Sequence, residues 1–232
     1  MADLDFYKKD MEKIQTQLLK KIEKVLGGLT VLDDAGLATA FKQINFVDEL
    51  NALGFPALLA KVKGSYDKNA IKTFALLKGK QRTRHAATAV QAVEILSILD
   101  LTTISAGVTK YANELKTAMF RGLLIGQSSA SIMQGLTETY GVGRALSSKQ
   151  QVALLNDSFA RFTRTTTAKL FEDVPEQKFE YVGPDDEVTR DVCVATLEMQ
   201  GEGMTIAEIE AEAPVSFADG GGFNCRHEWI PV

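Results

Sequence analysis

Apolar side chains recur every three or four residues along most of the first 170 positions, which is the spacing of one face of an α-helix. The first such stripe begins near the N terminus, and glycines that weaken a helix follow it, so we expect that helix to end at Gly27–Gly28. The stripe comprises Leu4, Tyr7, Met11, Ile14, Leu18, Ile22 and Val25. This pattern predicts a mainly α protein whose first helix packs against the rest of the chain.

Capping residues and glycine-bearing turns divide the following region into further predicted helices. Asp33 or Asp34, Asn45, and Ser65 or Asp67 are the predicted caps of three of them, and Ser147 or Ser148 is the predicted cap of the last. The predicted segments are 33–44, 45–53, 55–62, 65–77, 129–140 and 149–170. In the last segment we expect Phe159 and Phe162 to point inward and Arg161 and Arg164 to lie on the polar side.

The segment 83–120 contains no proline and is apolar on most sides. It predicts one long, largely buried helix, or two helices separated between Asp100 and Gly107. We expect this segment to form the centre of the core.

From Lys178 the hydrophobic period shifts towards two, which is typical of a β-strand. Phe179–Val182 is predicted to be a strand, 186–197 a helix, and Thr205 with Glu208 the capping box of another helix. The segment 223–230 is predicted to return as a strand that pairs with the first. The resulting prediction is a helical domain with long central helices at 1–177 and a small α+β module at 178–232.

The composition is that of a core-forming globular protein, with 45% hydrophobic and 24% charged residues. No apolar run reaches the length of a membrane-spanning helix, and the first residues lack the order of a signal peptide. We therefore expect synthesis in a cytoplasm and no membrane partner.

Charge is distributed unevenly along the chain. The stretch 61–84 holds eight basic residues and one acid, whereas 172–232 holds fifteen acids and three basic residues. One interpretation of the basic stretch is a solvated helical face; the alternative is contact with nucleic acid or with an acidic partner surface. The candidate contact residues are Lys78, Lys80, Arg82 and Arg84.

Both cysteines, one of the two histidines and the only tryptophan lie in the last forty positions, at Cys193, Cys225, His227 and Trp229. A segment this short buries little apolar surface, so its shape is expected to depend on these side chains. We expect Trp229 to anchor the core of the module. Gly220–Gly222 is interpreted as a turn that permits positive backbone dihedrals. A cysteine nucleophile at Cys193 with His85 or His227 as base has no recognisable third group, so we expect no enzymatic activity.

The two blocks Tyr181–Cys193 and Gly220–Trp229 resemble the C-terminal domain of tailed-phage head morphogenesis proteins, also called minor head or Mu F-like proteins. The shared order is an aromatic strand, a glycine turn, an aspartate, Thr-Arg, a cysteine, an acidic helix and a closing Asn-Cys-Arg. The resemblance implies a structural protein of the phage particle, made in the host cytoplasm and placed in the minor head or head-tail connector region. Its implied partners are portal or capsid subunits, further copies of itself and packaged DNA, without a small-molecule substrate.

Many members of that family carry a Cys-x-x-Cys pair and a His-Pro-x-Cys-x-Cys ending, which together suggest a metal site. In this chain, Arg190 occupies the position of the first of those cysteines, and His227 occupies the position of the last. Three interpretations follow for Cys193, Cys225 and His227: buried free thiols with a hydrogen-bonded histidine, a disulfide formed after cell lysis, or a zinc site with Asp185 or Asp186 as fourth ligand. We expect no cofactor under the first two. A DNA-binding accessory protein inside the head, and a cysteine- or metal-dependent hydrolase, are the alternative functions.

Overall fold

The computed structural model describes residues 5–30, 32–76 and 81–232, without the side chains of residues 5, 81–89 and 92. The helices are α1 (Asp5–Leu29), α2 (Asp34–Gln43), α3 (Phe46–Ala52), α4 (Phe55–Ala75), α5 (Gln81–Leu124), α6 (Ser129–Tyr140), α7 (Lys149–Leu170), α8 (Asp191–Met199) and α9 (Ile206–Glu212), with a short 3-10 turn at Ala145–Ser147. The strands are β1 (Lys178–Val182), β2 (Met204–Thr205) and β3 (Glu228–Pro231). The predicted fold class, mainly α with a small C-terminal α+β module, is confirmed.

Several helix starts lie where the capping residues predicted them. The side chains of Asp33 and Asn45 accept hydrogen bonds from backbone N–H groups in the first turns of α2 and α3. Ser128, which was not predicted as a cap, does so in the first turn of α6. Ser148 does the same for Gln151 at the start of α7. Each of these side chains satisfies a donor that the helix itself cannot pair.

Glycine did not end the helices as predicted. α1 continues through Gly27 and Gly28 to Leu29, and α4 continues through Gly64, where the sequence predicted two separate helices. Leu26 and Leu29 are buried beyond the predicted end of α1, and Val62 and Tyr66 are buried on both sides of Gly64. Burial of these side chains outweighs the roughly 1 kcal/mol that an interior glycine costs a helix.

The segment predicted to be one long helix or two is one helix, α5. The prediction that it is largely buried is wrong for the part of its first half whose side chains are described, because Val90, Ile95, Ile98 and Leu99 are each more than half exposed. Its second half is buried through Ile104, Val108, Tyr111, Ala112, Leu115, Met119 and Phe120. Apolar residues therefore occur on more sides of α5 than the packing covers.

The chain divides into two compact units, and α4, α5 and α7 contribute residues to both. The helical unit comprises Asp3–Val62 and Leu101–Val152, and the mixed unit comprises Lys63–Asp100 and Ala153–Val232. β1 starts at Lys178, the first residue of the predicted module. The mixed unit is larger than that module, because it also includes Lys63–Asp100 and the segment 153–177.

The core of the helical unit is a set of aliphatic and aromatic side chains. In α1, Met11, Leu18, Ile22 and Leu26 are each completely buried. At the edge of this core, the exposed Phe41 ring meets the buried Phe120 ring edge to face at 5.1 Å, and the Lys116 ammonium lies 4.2 Å from the Phe41 ring centroid. Val25, which the periodicity assigned to the inner stripe, is 40% exposed, and Leu26 takes that place.

Within the described residues of the mixed unit, β1, β2 and β3 form an antiparallel sheet with β1 in the centre. Tyr181 of β1 pairs with Trp229 of β3, and Phe179 pairs with Met204 of β2. The predicted return strand is shorter than expected because it begins at Glu228, and β2 was not predicted. The capping box of Thr205 and Glu208 is confirmed at the start of α9.

No helix in the described part of the chain combines the length and the apolar character needed to cross a membrane.

Candidate functional site

The two sequence blocks at the C terminus converge in the mixed unit. Cys193 lies in the first turn of α8, whereas Cys225 and His227 lie in the segment just before β3. The two sulfurs are 3.9 Å apart, and Nδ1 of His227 lies 3.8 Å from Sγ of Cys225. We call these three buried residues the Cys/His cluster; their ligand atoms all lie within 4.8 Å of one another.

Tyr181 on β1 forms the floor of the Cys/His cluster. Its hydroxyl lies 3.5 Å from Sγ of Cys193 and 3.2 Å from Sγ of Cys225. Its ring stacks on the His227 ring with centroids 4.9 Å apart and an interplanar angle of 13°, and it also contacts the Trp229 ring. Trp229 is buried, as predicted for a core anchor.

Two glycines leave the space that the Cys/His cluster occupies. A Cβ added at Gly221 would lie 2.2 Å from Sγ of Cys193, and one at Gly183 would lie 2.4 Å from Cδ2 of His227. Gly220 and Gly222 have positive φ angles of 56° and 90°, as expected for the predicted turn. The glycines of both sequence blocks thus serve close packing and backbone conformation, and the sequence suggested only the second role.

The two cysteines have different acidities. Burial raises the pKa of Cys193, and the nearby sulfur of Cys225 adds to the increase. Burial acts in the same direction on Cys225, but hydrogen bonds from the Tyr181 hydroxyl and from the backbone N–H groups of His227 and Gly221 lower its pKa overall. Cys225 is therefore the cysteine that ionises more readily.

His227 is almost completely enclosed, with 2% of its surface exposed. Burial lowers the pKa of the imidazole, and the positive charge of Arg226 lowers it further. Its Nε2 atom has no hydrogen-bond partner among the residues that the structure describes. The ring is therefore favoured in its neutral form, which is the form that binds metal ions.

Arg164 corrects the prediction that it lies on the polar side of α7. It is 1% exposed, and it donates hydrogen bonds from Nε to the carbonyl of Ala218 and from Nη1 to the carbonyl of His227, at 2.8 and 3.2 Å. Asp157 lies on the same face of α7 as Arg164, and its carboxylate accepts a hydrogen bond from the backbone N–H of Asn224. Polar contacts from α7 thereby hold the segment 218–227, which we call the closing segment. A periodicity of apolar residues could not predict such contacts.

Arg190 and Asp186 secure the segments on either side of the Cys/His cluster. Arg190 donates hydrogen bonds to the carbonyls of Gly221 and Phe223 at 2.9 and 2.5 Å. Asp186 accepts hydrogen bonds from both terminal nitrogens of Arg226 at 2.8 and 2.5 Å. The Arg226 guanidinium holds the pKa of Asp186 well below its usual range.

The predicted fourth metal ligand is not part of the cluster. Asp185 is exposed, and Asp186 is engaged by Arg226. Among the described residues, the group able to hold a metal at this place consists of Cys193, Cys225 and His227.

The predicted nucleic-acid contact residues are only partly described. Lys78 and Lys80 lie outside the described residues, and so do the side chains of Arg82, Arg84 and His85. Two further lysines of the basic stretch form ion pairs. Nζ of Lys61 lies 2.5 Å from Oδ2 of Asp10, and Nζ of Lys63 lies 2.9 Å from Oδ2 of Asp67. These ion pairs reduce the positive charge that the stretch presents at its N-terminal end.

A cleft of about 250 Å³ opens onto the Cys/His cluster. Thr189, Arg190 and Asn224 line its wall together with the two cysteines and His227. Two sulfurs and an imidazole are ligands for a soft divalent ion, and a buried cysteine beside a histidine is also the minimum of a nucleophilic site. The arrangement therefore suits metal binding or structural packing, and its cysteines, at 2% and 4% exposure, are poorly accessible to a macromolecular substrate.

Comparison with protein-family models, with curated proteins and with solved structures gives no match to this chain.

Proposed function

We propose that the protein is a structural component of a tailed-phage particle that acts in head morphogenesis by binding portal or capsid subunits. Its place would be the minor head or the head-tail connector region. It acts by adhesion between subunits and not by turnover of a substrate, and packaged DNA is a candidate additional partner.

This proposal rests on the contacts that the residues resembling the phage family make in the structure. Tyr181 contacts both Cys193 and His227, and Arg190 donates a hydrogen bond to the backbone of the glycine turn. The pattern thus corresponds to one folded module in which each of these residues has a packing or hydrogen-bonding role. Residues that together build one module support common ancestry with proteins that carry the same module. The same residues scattered over a surface would support it less.

An exposed apolar face in the mixed unit supports a protein partner. Ile95, Ile98 and Leu99 are spaced to share one face of α5, and they are 60%, 51% and 58% exposed. Val93 and Ser97, which lie on the other side of the helix, are buried. Apolar surface of this kind commonly marks a contact with another protein.

The alternative functions have less support. A cysteine hydrolase needs a nucleophile that a substrate can reach, whereas Cys193 is 2% exposed and packs under Gly221. A DNA-binding accessory role would depend on the stretch 61–84, in which Lys61 and Lys63 already pair with carboxylates.

The proposal is tested first on whole particles. Particles are purified on a density gradient from cells that carry the phage encoding this chain, and their proteins are quantified by mass spectrometry. We expect peptides of this chain in DNA-filled particles, at a constant ratio to the portal protein across the gradient. A chain that stays in the soluble lysate and is absent from the particles would contradict the proposal.

A second experiment tests the exposed face of α5. The purified chain is mixed with the portal protein from the same genome, and complex formation is followed by size-exclusion chromatography with light scattering. Ile98→Asp should abolish the complex, because it places a charge in an apolar contact. The matched control is Leu124→Asp, which alters an apolar side chain of α5 that is 63% exposed in the helical unit. A complex lost with the control but kept with Ile98→Asp would exclude this face.

A further inference from the structure

We infer that the Cys/His cluster is a binding site for one soft divalent metal ion, with zinc as the natural ion. Sγ of Cys193, Sγ of Cys225 and Nδ1 of His227 are the protein ligands. The fourth coordination position faces the cleft and takes a water molecule. This inference is independent of the proposed role in a phage particle.

The first argument is the spacing of the ligand atoms. On a tetrahedral zinc ion, with bonds of about 2.3 Å to sulfur and 2.0–2.1 Å to nitrogen, two sulfurs lie about 3.8 Å apart and a sulfur and a nitrogen about 3.6 Å apart. The two sulfurs here are 3.9 Å apart, and the Cys225 sulfur and the His227 nitrogen are 3.8 Å apart. The remaining edge is no longer than 4.8 Å, so small side-chain rotations complete the geometry.

The same distances are less suited to a disulfide. The sulfurs of a disulfide are about 2.05 Å apart, so Cys193 and Cys225 would have to approach by nearly 2 Å. Because the Tyr181 hydroxyl lies 3.5 and 3.2 Å from the two sulfurs, that movement would press the moving sulfur against the hydroxyl, and Tyr181 would have to shift as well.

A second, independent observation comes from the imidazole. His227 is 2% exposed, and its Nε2 atom has no hydrogen-bond partner among the described residues. The other ring nitrogen, Nδ1, has Sγ of Cys225 as its neighbour at 3.8 Å, which is long for a hydrogen bond. An ion between this nitrogen and the sulfurs would bind Nδ1 directly, with the proton of the imidazole on Nε2.

The surroundings of the cluster provide for the ion and for its entry. The Tyr181 hydroxyl is within 3.5 Å of both sulfurs, so it can donate a hydrogen bond to a metal-bound thiolate. The cleft lined by Thr189, Arg190 and Asn224 gives an ion and a water molecule a path to the sulfurs.

The donor set selects the kind of ion. Two thiolates and an imidazole favour zinc and its neighbours among the transition metals. Calcium and magnesium prefer oxygen ligands, which this cluster does not provide among its described residues.

The test begins with the unmodified chain, purified with reductant and freed of metal by a chelator. Titration with Co²⁺ should saturate at one equivalent and give the thiolate-to-cobalt charge-transfer band with the visible bands of a tetrahedral ion. X-ray absorption of the zinc-loaded chain should show two sulfurs at about 2.3 Å and one imidazole nitrogen at about 2.0 Å. No binding, or a shell of nitrogen and oxygen alone, would overturn the inference, and so would a Cys193–Cys225 disulfide in chain isolated without air.

Variants assign the ligands. Cys193→Ser, Cys225→Ser and His227→Gln should each lower Co²⁺ affinity by at least a hundredfold, with circular dichroism used to select the folded variants. The matched control is Asp185→Asn, an exposed neighbour, which should leave stoichiometry and spectrum unchanged. An unchanged spectrum in a folded Cys193→Ser or Cys225→Ser variant would refute the assignment. The absorption data on the unmodified chain decide the case if the variants fail to fold.

Discussion

Buried polar side chains are distributed very unevenly between the two units. Among the described residues, the helical unit buries Gln15 and Ser147. The mixed unit buries eight: Thr73, Ser97, Asp157, Arg164, Thr166, Thr167, Thr196 and His227. Three of the eight, Asp157, Arg164 and His227, contact residues distant in the sequence. The mixed unit therefore adds such polar contacts, which are lost when one partner is removed, to its apolar core, whereas the helical unit is stabilised mainly by apolar burial.

The largest expected effect is that of removing the Arg164 guanidinium. Arg164→Met keeps an apolar stem but leaves the carbonyls of Ala218 and His227 without their donor. We expect a loss of about 3–5 kcal/mol in the free energy of unfolding of the mixed unit. Urea unfolding followed by the fluorescence of Trp229, the only tryptophan, measures it.

The control for that variant is Lys169→Met on the same helix. The Lys169 side chain is 52% exposed, and its Nζ atom lies 3.0 Å from Oε2 of Glu172, whose side chain is 64% exposed. An exposed ion pair of this kind contributes about 1 kcal/mol or less. Equal losses for the two variants would contradict the view that buried polar contacts distinguish the mixed unit.

The same contrast explains what the sequence could predict. The ends of α6 and α7 agree with the predicted segments, because caps and a hydrophobic period of 3.6 are local signals. The continuity of α1 and α4 through glycine could not be predicted, since it depends on tertiary burial of Leu29 and Tyr66.

For the candidate site, the sequence identified which residues matter but not how they meet. Cys193, Cys225 and His227 were singled out because they are rare residue types in a short segment, and the structure brings them together. Arg164 was missed as part of the same region, because its position in a run of polar residues resembles that of a solvated side chain. Asp185 was included on chemistry alone, and its place on the surface follows from backbone geometry that the sequence does not encode locally.

The next prediction compares two glycines that differ in the space around them. Gly221→Ala puts a methyl group 2.2 Å from Sγ of Cys193, so Cys193 or the turn must move. We expect a loss of about 1–3 kcal/mol in the stability of the mixed unit, again measured by Trp229 fluorescence in urea.

The corresponding substitution in the helical unit, Gly107→Ala, should change stability in the opposite direction. An added Cβ at Gly107 in α5 meets no described atom within 4 Å. Gly107→Ala should therefore raise stability by about 0.5–1 kcal/mol, measured by the far-ultraviolet circular dichroism of the helices. Destabilisation by both substitutions would mean that the two units are equally tightly packed at these sites.

Replacing Gln15 in the helical unit should have an effect of about the same size as replacing Gly107. Its Nε2 donates to the carbonyls of Tyr140 and Arg144 at 3.2 and 3.4 Å, while its Oε1 has no partner among the described residues. The Tyr140 carbonyl also accepts a hydrogen bond from Tyr111, so it stays paired when Gln15 is replaced. We expect Gln15→Met to lose about 1 kcal/mol by circular dichroism in urea, well below the loss for Arg164→Met. A loss as large as that of Arg164→Met would remove the distinction between the units.

The smallest expected effect is that of Asp186, and it depends on pH. The Arg226 guanidinium, helped by the Val188 N–H and the Thr189 hydroxyl, lowers the pKa of Asp186 in the folded chain. A carboxyl whose pKa is lower when folded contributes stability that is present above its unfolded pKa, near 3.9, and that is lost as the pH falls towards the folded pKa. Asp186→Asn should therefore be less stable than the unmodified chain at pH 7, and the difference should shrink below about pH 4.

Because Asp186 and Arg226 lie at the surface, 1 M salt should also reduce the difference between Asp186→Asn and the unmodified chain at pH 7. The matched control is Asp185→Asn, which removes an adjacent exposed carboxyl and should change stability by less than about 0.5 kcal/mol. Trp229 fluorescence in urea at pH 7 and pH 3, with and without salt, measures all three proteins. A difference that grows on acidification would show that Asp186 is not held by Arg226. It would then leave Arg164, Arg190 and Asp157 as the polar contacts that secure the closing segment.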